Sequence, residues 1–140
     1  MAVRDTAAMI AGMAPVADGV TWHFCTTADA ELAARARPTA LASFAEAEGM
    51  SLVLSEKEAV ALGFDTDLPM ARITLTVQSA LDGVGLTAAV ATALATALAG
   101  EGIPCNMVAG YHHDHVFVPV AQAERALEVL RRLACGEMDG

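Results

Sequence analysis

A chain of 140 residues with 55% hydrophobic and 18% charged residues can build one ordinary domain, or two small ones sharing a core, and shows little sign of disorder. Its formal net charge of −9 argues against nucleic acid or an anionic membrane surface as partner, since both call for clustered Lys and Arg. Aromatics are only 4%, so packing must be close and backbone-near.

Cys25, Cys105 and Cys135 form no CxxC pair, which removes a zinc ribbon and a thioredoxin-like motif. Free, buried thiols in a reducing cytoplasm are expected. No signal-peptide core follows Arg4 and Asp5. The longest uncharged run, Val84 to Gly100, is Ala-rich and falls short of a membrane span. The expectation is a soluble, cytoplasmic protein.

In chain order, Asp5 to Met13 reads as a helix closed by Pro15 and the Asp18-Gly19 turn signal. Thr21 to Thr27 reads as a strand, with Trp22 and Phe24 on one face and His23 and Cys25 on the other. Asp29 to Arg37 is a short helix that Pro38 must stop. Leu41 to Glu48 is open: Ala and Glu favour helix, while its length suits a strand. Met50 to Ser55 reads as a strand and Glu56 to Gly63 as a helix.

Arg72 to Leu86 (RITLTVQSALDGVGL) is the most informative stretch. Ile73, Leu75 and Val77 alternate with Thr74 and Thr76, the period of a half-buried strand. A loop with Asp82, Gly83 and Gly85 follows, then Leu86, Val90, Leu94 and Leu98 at helical spacing. A strand entering a helix through such a loop exposes backbone N–H groups able to hold a small carboxylate. Beyond it, Ile103 to His112 and His115 to Val120 read as a hairpin turning at His113-Asp114. Val120 to Ala134 reads as a closing helix with a core stripe of Ala123, Ala126, Leu127, Leu130 and Leu133.

Ser51 to Leu62 (SLVLSEKEAVAL) lies on Val116 to Leu127 (VFVPVAQAERAL) without gaps, a weak internal repeat. The C-terminal half ends at its last helix, without the fourth strand its sheet requires. That strand must come from the N-terminal half, with Met13 to Ala17 the candidate, or from another chain.

Strand, glycine loop, long helix, hairpin and helix make up most of a ferredoxin-like βαββαβ unit. The run GLTAAVATALATALAGEGIPCNMVAG resembles the core of an ACT domain, with Gly85 opening the helix, Gly102-Ile103 closing it and Asn106 in the next strand. The whole chain also resembles small bacterial proteins built of two ACT-like units. DGVTWHFCT, EAEGMSLVLSEKEA, RITLTVQSALDGVGLTAAV and AGYHHDHVFVPVAQAERAL carry that likeness over nearly all of residues 1 to 135. The resemblance implies an α+β fold of two ACT-like units, at 1–68 and 69–140, the first degenerate. It also implies sensing of a small effector, such as an amino acid, often by a dimer. Two departures stand out: no Pro accompanies the loop glycines, and no enzyme domain lies within the 140 residues.

The candidate ligand site is Ser79, Asp82, Gly83, Val84, Gly85, Leu86 and Asn106. Asp82 either meets a ligand ammonium or caps the helix. The glycines permit close approach or a positive φ. Asn106 either reaches ligand or pins a neighbouring loop. His112, His113, Asp114 and His115 form a polar hairpin tip; a metal-dependent enzyme centred there is the least favoured alternative. Ser79 has no evident base, the GxSxG elbow is absent, and no phosphate-binding glycine motif occurs. The reading is therefore a non-enzymatic, small-molecule-binding protein, with neither cofactor nor metal, forming a homodimer. A structural or protein-interaction module without ligand is the alternative.

Overall fold

The computed structural model describes residues 10–75 and 84–136. The chain divides into two compact units, Gly19–Ala71 and a second made of Met1–Asp18 with Arg72–Gly140. Strand β1 (Pro15–Thr27) belongs to both, changing unit after Asp18.

In the Gly19–Ala71 unit, β1 is followed by helix α1 (Ala30–Ala36), a 3-10 turn (Arg37–Thr39), β2 (Ala42–Glu46), β3 (Gly49–Ser55) and α2 (Glu56–Ala61). The strand order is β2-β3-β1, with both pairings antiparallel. The two faces of β1 divide as expected: His23 and Cys25 are buried, while Phe24 is exposed. Cys25, Leu52 and Leu54 meet Ala36 and Ala59 in a small core that Met50, Leu62 and Phe64 extend. The ambiguous segment is a strand, although all five residues of β2 are exposed. On one side its backbone pairs along β3, and that pairing overrides the helical preference of Ala and Glu.

The expected helix from Asp5 lies mostly outside the described residues; 10–11 are helical. The second unit then runs through β4 (Met70–Leu75), α3 (Val84–Gly100), β5 (Asn106–Ala109), β6 (Asp114–Pro119), a 3-10 turn (Val120–Gln122) and α4 (Ala123–Ala134). Its strand order is β1-β4-β6-β5. The sheet therefore takes its fourth strand from the beginning of the same chain, starting at Pro15. Val90, Leu94 and Leu98 on α3 are buried with Ile73 and Leu75 of β4 and Val116 and Val118 of β6. On α4, Ala126, Val129 and Leu130 are the buried positions, whereas Ala123, Leu127 and Leu133 are only half-buried.

Three expectations are corrected. The strand expected from Ile103 begins at Asn106, because Ile103 closes α3 and Pro104 has no N–H for a ladder. The Ile103 N–H donates to the Leu98 carbonyl (3.0 Å) and the Gly102 N–H to Ala99 (3.0 Å), with Gly102 at φ +71. The hairpin turn spans 110–113 and not His113-Asp114: Ala109 pairs with Asp114, and the Gly110 N–H donates to the His113 carbonyl (2.8 Å). The gapless repeat is out of step as well. Leu52 and Leu54 match Val116 and Val118 in burial, one residue off the sequence alignment, and the 3-10 turn before α4 has no counterpart before α2.

Candidate functional site

Ser79, Asp82 and Gly83 lie outside the described residues. Val84, Gly85 and Leu86 open the 17-residue helix α3. The first N–H groups of such a helix have no carbonyl partner within it. Asn106 is exposed at the start of β5, opposite Phe117 in the ladder.

The Gly19–Ala71 unit shows its own strand-to-helix turn in full. Thr27, Ala28 and Asp29 lead from β1 into α1. Asp29 Oδ1 accepts from the Glu31 N–H (2.9 Å) and the Leu32 N–H (3.4 Å), and the Asp29 N–H donates to Thr27 Oγ1 (3.1 Å). An aspartate at this place therefore satisfies the helix start, a common use of Asp there. Beside the turn lies a cleft of about 370 Å³, flanked by Ala33, Arg37, Glu46, Gly49 and Met50. It carries one guanidinium and carboxylates at Asp29 and Glu46, so it can meet both charges of a zwitterion. Residue-by-residue reading of the sequence did not mark this cleft. Its signal was the Asp-x-Glu start of α1 directly after a strand.

A smaller cleft, of about 250 Å³, lies between β1 and the segment after α2 in the same unit. His23 at its floor is 1% exposed, and its Nε2 is 3.2 Å from Glu56 Oε1. Cys25 donates weakly to the His23 carbonyl (3.7 Å). Burial first, and then the Asp65 carboxylate, push the Cys25 thiol above its ordinary value, which keeps it protonated and poorly nucleophilic.

His115 lies in β6, where Nδ1 is 3.0 Å from Thr74 Oγ1 on β4. His112 is exposed in the loop, edge-on to Tyr111 with ring centroids 4.8 Å apart. His113 Nδ1 is buried without a hydrogen-bond partner among the described residues. Nearby, Arg72 Nε pairs with Asp18 Oδ2 at 2.8 Å. Burial lowers the His115 pKa, helped by Arg72 and His113 and opposed by Asp114 and Asp18. Burial raises that of Asp114, against the pull of His115 and His113. Among the described residues no group of three or more His, Cys, Asp or Glu side chains is placed to hold a metal ion. No described helix is long and apolar enough to cross a membrane.

Comparison with known proteins bears on this arrangement at the level of both halves. ACT-domain family models match residues 2–71 and 71–132. No curated protein matches the sequence significantly. Among solved structures, the chain is similar to a Vibrio cholerae protein of unknown function, described as a possible transport protein. The two share 34% identity over 91% of this chain and 94% of the other, with a TM-score of 0.76. It is also similar in fold to the regulatory subunit of aspartate kinase from Thermus flavus, at 14% identity, a TM-score of 0.53, and coverage of 87% and 96%. The aspartate kinase of Clostridium acetobutylicum matches at 14% identity and a TM-score of 0.56, over 87% of this chain and 34% of that one. With two such domains in tandem along most of its length, the chain belongs to the ACT-domain family, whose domains support a ligand-binding, regulatory role.

Proposed function

We propose that this protein senses a small polar effector of amino-acid type, acting as a regulatory binding protein without catalysis of its own. The observation that carries this reading is the pair of ACT domains in tandem. In the C-terminal unit the proposed site is Ser79, Asp82, Gly83, Val84, Gly85, Leu86 and Asn106. There an effector carboxylate meets the N–H groups opening α3, and its ammonium meets Asp82. The cleft beside Thr27 and Asp29 supports the same chemistry in the other unit, with Arg37 for the carboxylate and Glu46 for the ammonium. We take the working form to be a cytoplasmic homodimer.

The test is thermal unfolding of dialysed protein against the twenty amino acids and common metabolites. A ligand at 100 times its Kd stabilises the fold by about 2.7 kcal/mol. Asp82→Ala should abolish that stabilisation while leaving the unliganded protein folded. If the variant is less stable without ligand but keeps the full ligand-induced stabilisation, Asp82 is a cap and the assigned site is wrong. The competing reading, an interaction module without ligand, draws on Phe44, 74% exposed on edge strand β2. A panel with no hit would favour it.

A further inference from the structure

Strand β2 ends the sheet of the Gly19–Ala71 unit, with β3 on one side and, among the described residues, no strand on the other. Alternate residues of a paired strand turn their N–H and C=O groups away from the partner, so β2 presents an open row of donors and acceptors. Such edges are usually blunted by Lys, Pro, a bulge or short length. The edge strand of the other unit, β5, is blunted in this way: it has four residues, starts at Asn106 and has Pro104 just before it. β2 has none of these guards. Thr39 to Ala45 (TALASFA) carries neither charge nor Pro, the ladder with β3 runs unbroken from Ala42 to Glu46, and all five residues of the strand are exposed.

Phe44 is the largest of the five and is 74% exposed. Cross-strand partners share a face, and Phe44 pairs with Ser51, which pairs with Thr26. That face is opposite to the one where Cys25, Leu52 and Leu54 meet Ala36 of α1 and Ala59 of α2. Neither helix of the unit's core therefore covers the ring.

Charge decides what fits this edge. The chain carries a net −9, so two copies repel over most of their surface. Antiparallel pairing of β2 with itself about Phe44 avoids that. Glu46, the strand's one carboxylate, then faces Ala42 of the second copy. The two Glu46 residues stand four positions apart along the seam, roughly 13 Å, beyond the ~8 Å screening length of physiological salt. Glu46 is moreover held by its own chain, accepting from Ser51 Oγ. A slip of two residues toward the turn would set Glu46 against Phe44, and a slip of four would set it against Glu46. The centred register is self-complementary and brings the two Phe44 rings directly opposite each other.

We infer that two copies of this chain pair antiparallel along β2, Phe44 against Phe44. The inference rests on the homodimer of the reading above and not on its effector. Five residues make a short seam, so the dimer forms and dissociates with concentration.

The experiment is sedimentation velocity of the full chain across a roughly hundredfold range of micromolar concentration. Wild type should dimerise as concentration rises. Phe44→Lys sets ammonium against ammonium and should dimerise at least tenfold more weakly, with the far-UV circular dichroism of wild type. A short bis-maleimide then reads the register, in a Cys135→Ser background that removes the exposed native thiol. Phe44→Cys should link copy to copy and Glu46→Cys should not; this arm decides if Phe44→Lys fails to fold. A monomer throughout would overturn the inference and the homodimer together, leaving the effector screen to stand on its own. A dimer undiminished by folded Phe44→Lys, or linking by Glu46→Cys as efficient as by Phe44→Cys, would overturn the β2 seam alone.

Discussion

Gly49 lies so close to Thr27 that a Cβ on it would stand 2.4 Å from the Thr27 carbonyl oxygen. Its φ of +148 is one that side-chain-bearing residues rarely adopt. Gly49 opens β3 and pairs with Glu46 across the β2–β3 turn. The contact therefore ties that hairpin to the turn leading into α1. Gly49→Ala must move backbone on one side or the other. A loss of about 3 kcal/mol is expected, within the range for backbone and overpacking changes. Urea unfolding should show the midpoint fall with an unchanged slope.

Helix α3 offers an internal contrast. Leu94 is fully buried, and Leu94→Ala should cost about 3 kcal/mol through lost burial and the cavity left behind. Two residues earlier, Thr92 is exposed and donates to the Ala88 carbonyl (2.9 Å). Thr92→Ala should stay within about 0.5 kcal/mol of wild type. Equal losses for the two would mean that the helix buries a different face.

Asp29→Ala removes the oxygen that accepts from the Glu31 and Leu32 N–H groups. About 1 kcal/mol should be lost, and Asp29→Asn should recover most of it, because Asn caps nearly as well as Asp. Thermal unfolding of the three proteins at one pH decides this. The result also gives the value of capping alone, against which the effect of Asp82→Ala is read.

The histidine hairpin should make stability depend on pH in a definite direction. Burial, Arg72 and His113 hold His115 below its ordinary value of 6.5, so folding prefers the neutral ring. Its contribution is complete above 6.5 and is lost as pH falls from there toward the folded value. Asp114 has the opposite sign. Its folded value is raised above 3.8, so its contribution is complete below 3.8 and is lost as pH rises through the folded value. Between about pH 7.5 and 5.5, across the ordinary histidine range, wild type should therefore lose more stability than His115→Gln. Parallel urea midpoints for the two proteins over that window would assign the pH dependence to other groups.

Periodicity recovered what local chemistry controls. Helix α3 runs from Val84 to Gly100 because an uncharged, Ala-rich stretch with Val90, Leu94 and Leu98 on one face has a single helical solution. His23 and Cys25 turn inward, and Phe24 outward, because strand side chains alternate. The resemblance carried by Gly85, Gly102-Ile103 and Asn106 pointed to the ACT fold that the family models match.

Long-range pairing decided the rest. Residues 42–46 have no burial pattern, so only their ladder with β3 makes them a strand. The hairpin tip moved to 110–113 because Ala109 pairs with Asp114, a register that sequence spacing alone leaves undetermined by a residue or two. His115 meets Thr74 across 41 residues of chain, and Asp18 meets Arg72 across 54. The clefts have the same origin. Asp65, Asp67 and Phe24 come from segments some forty residues apart, and the strand order brings them together. By itself, the sequence determined the helices after Asp29, the two faces of β1 and the family, because these follow from neighbours along the chain. Which side chains share a site depended on strand order and register, which are set by hydrogen bonds between distant residues.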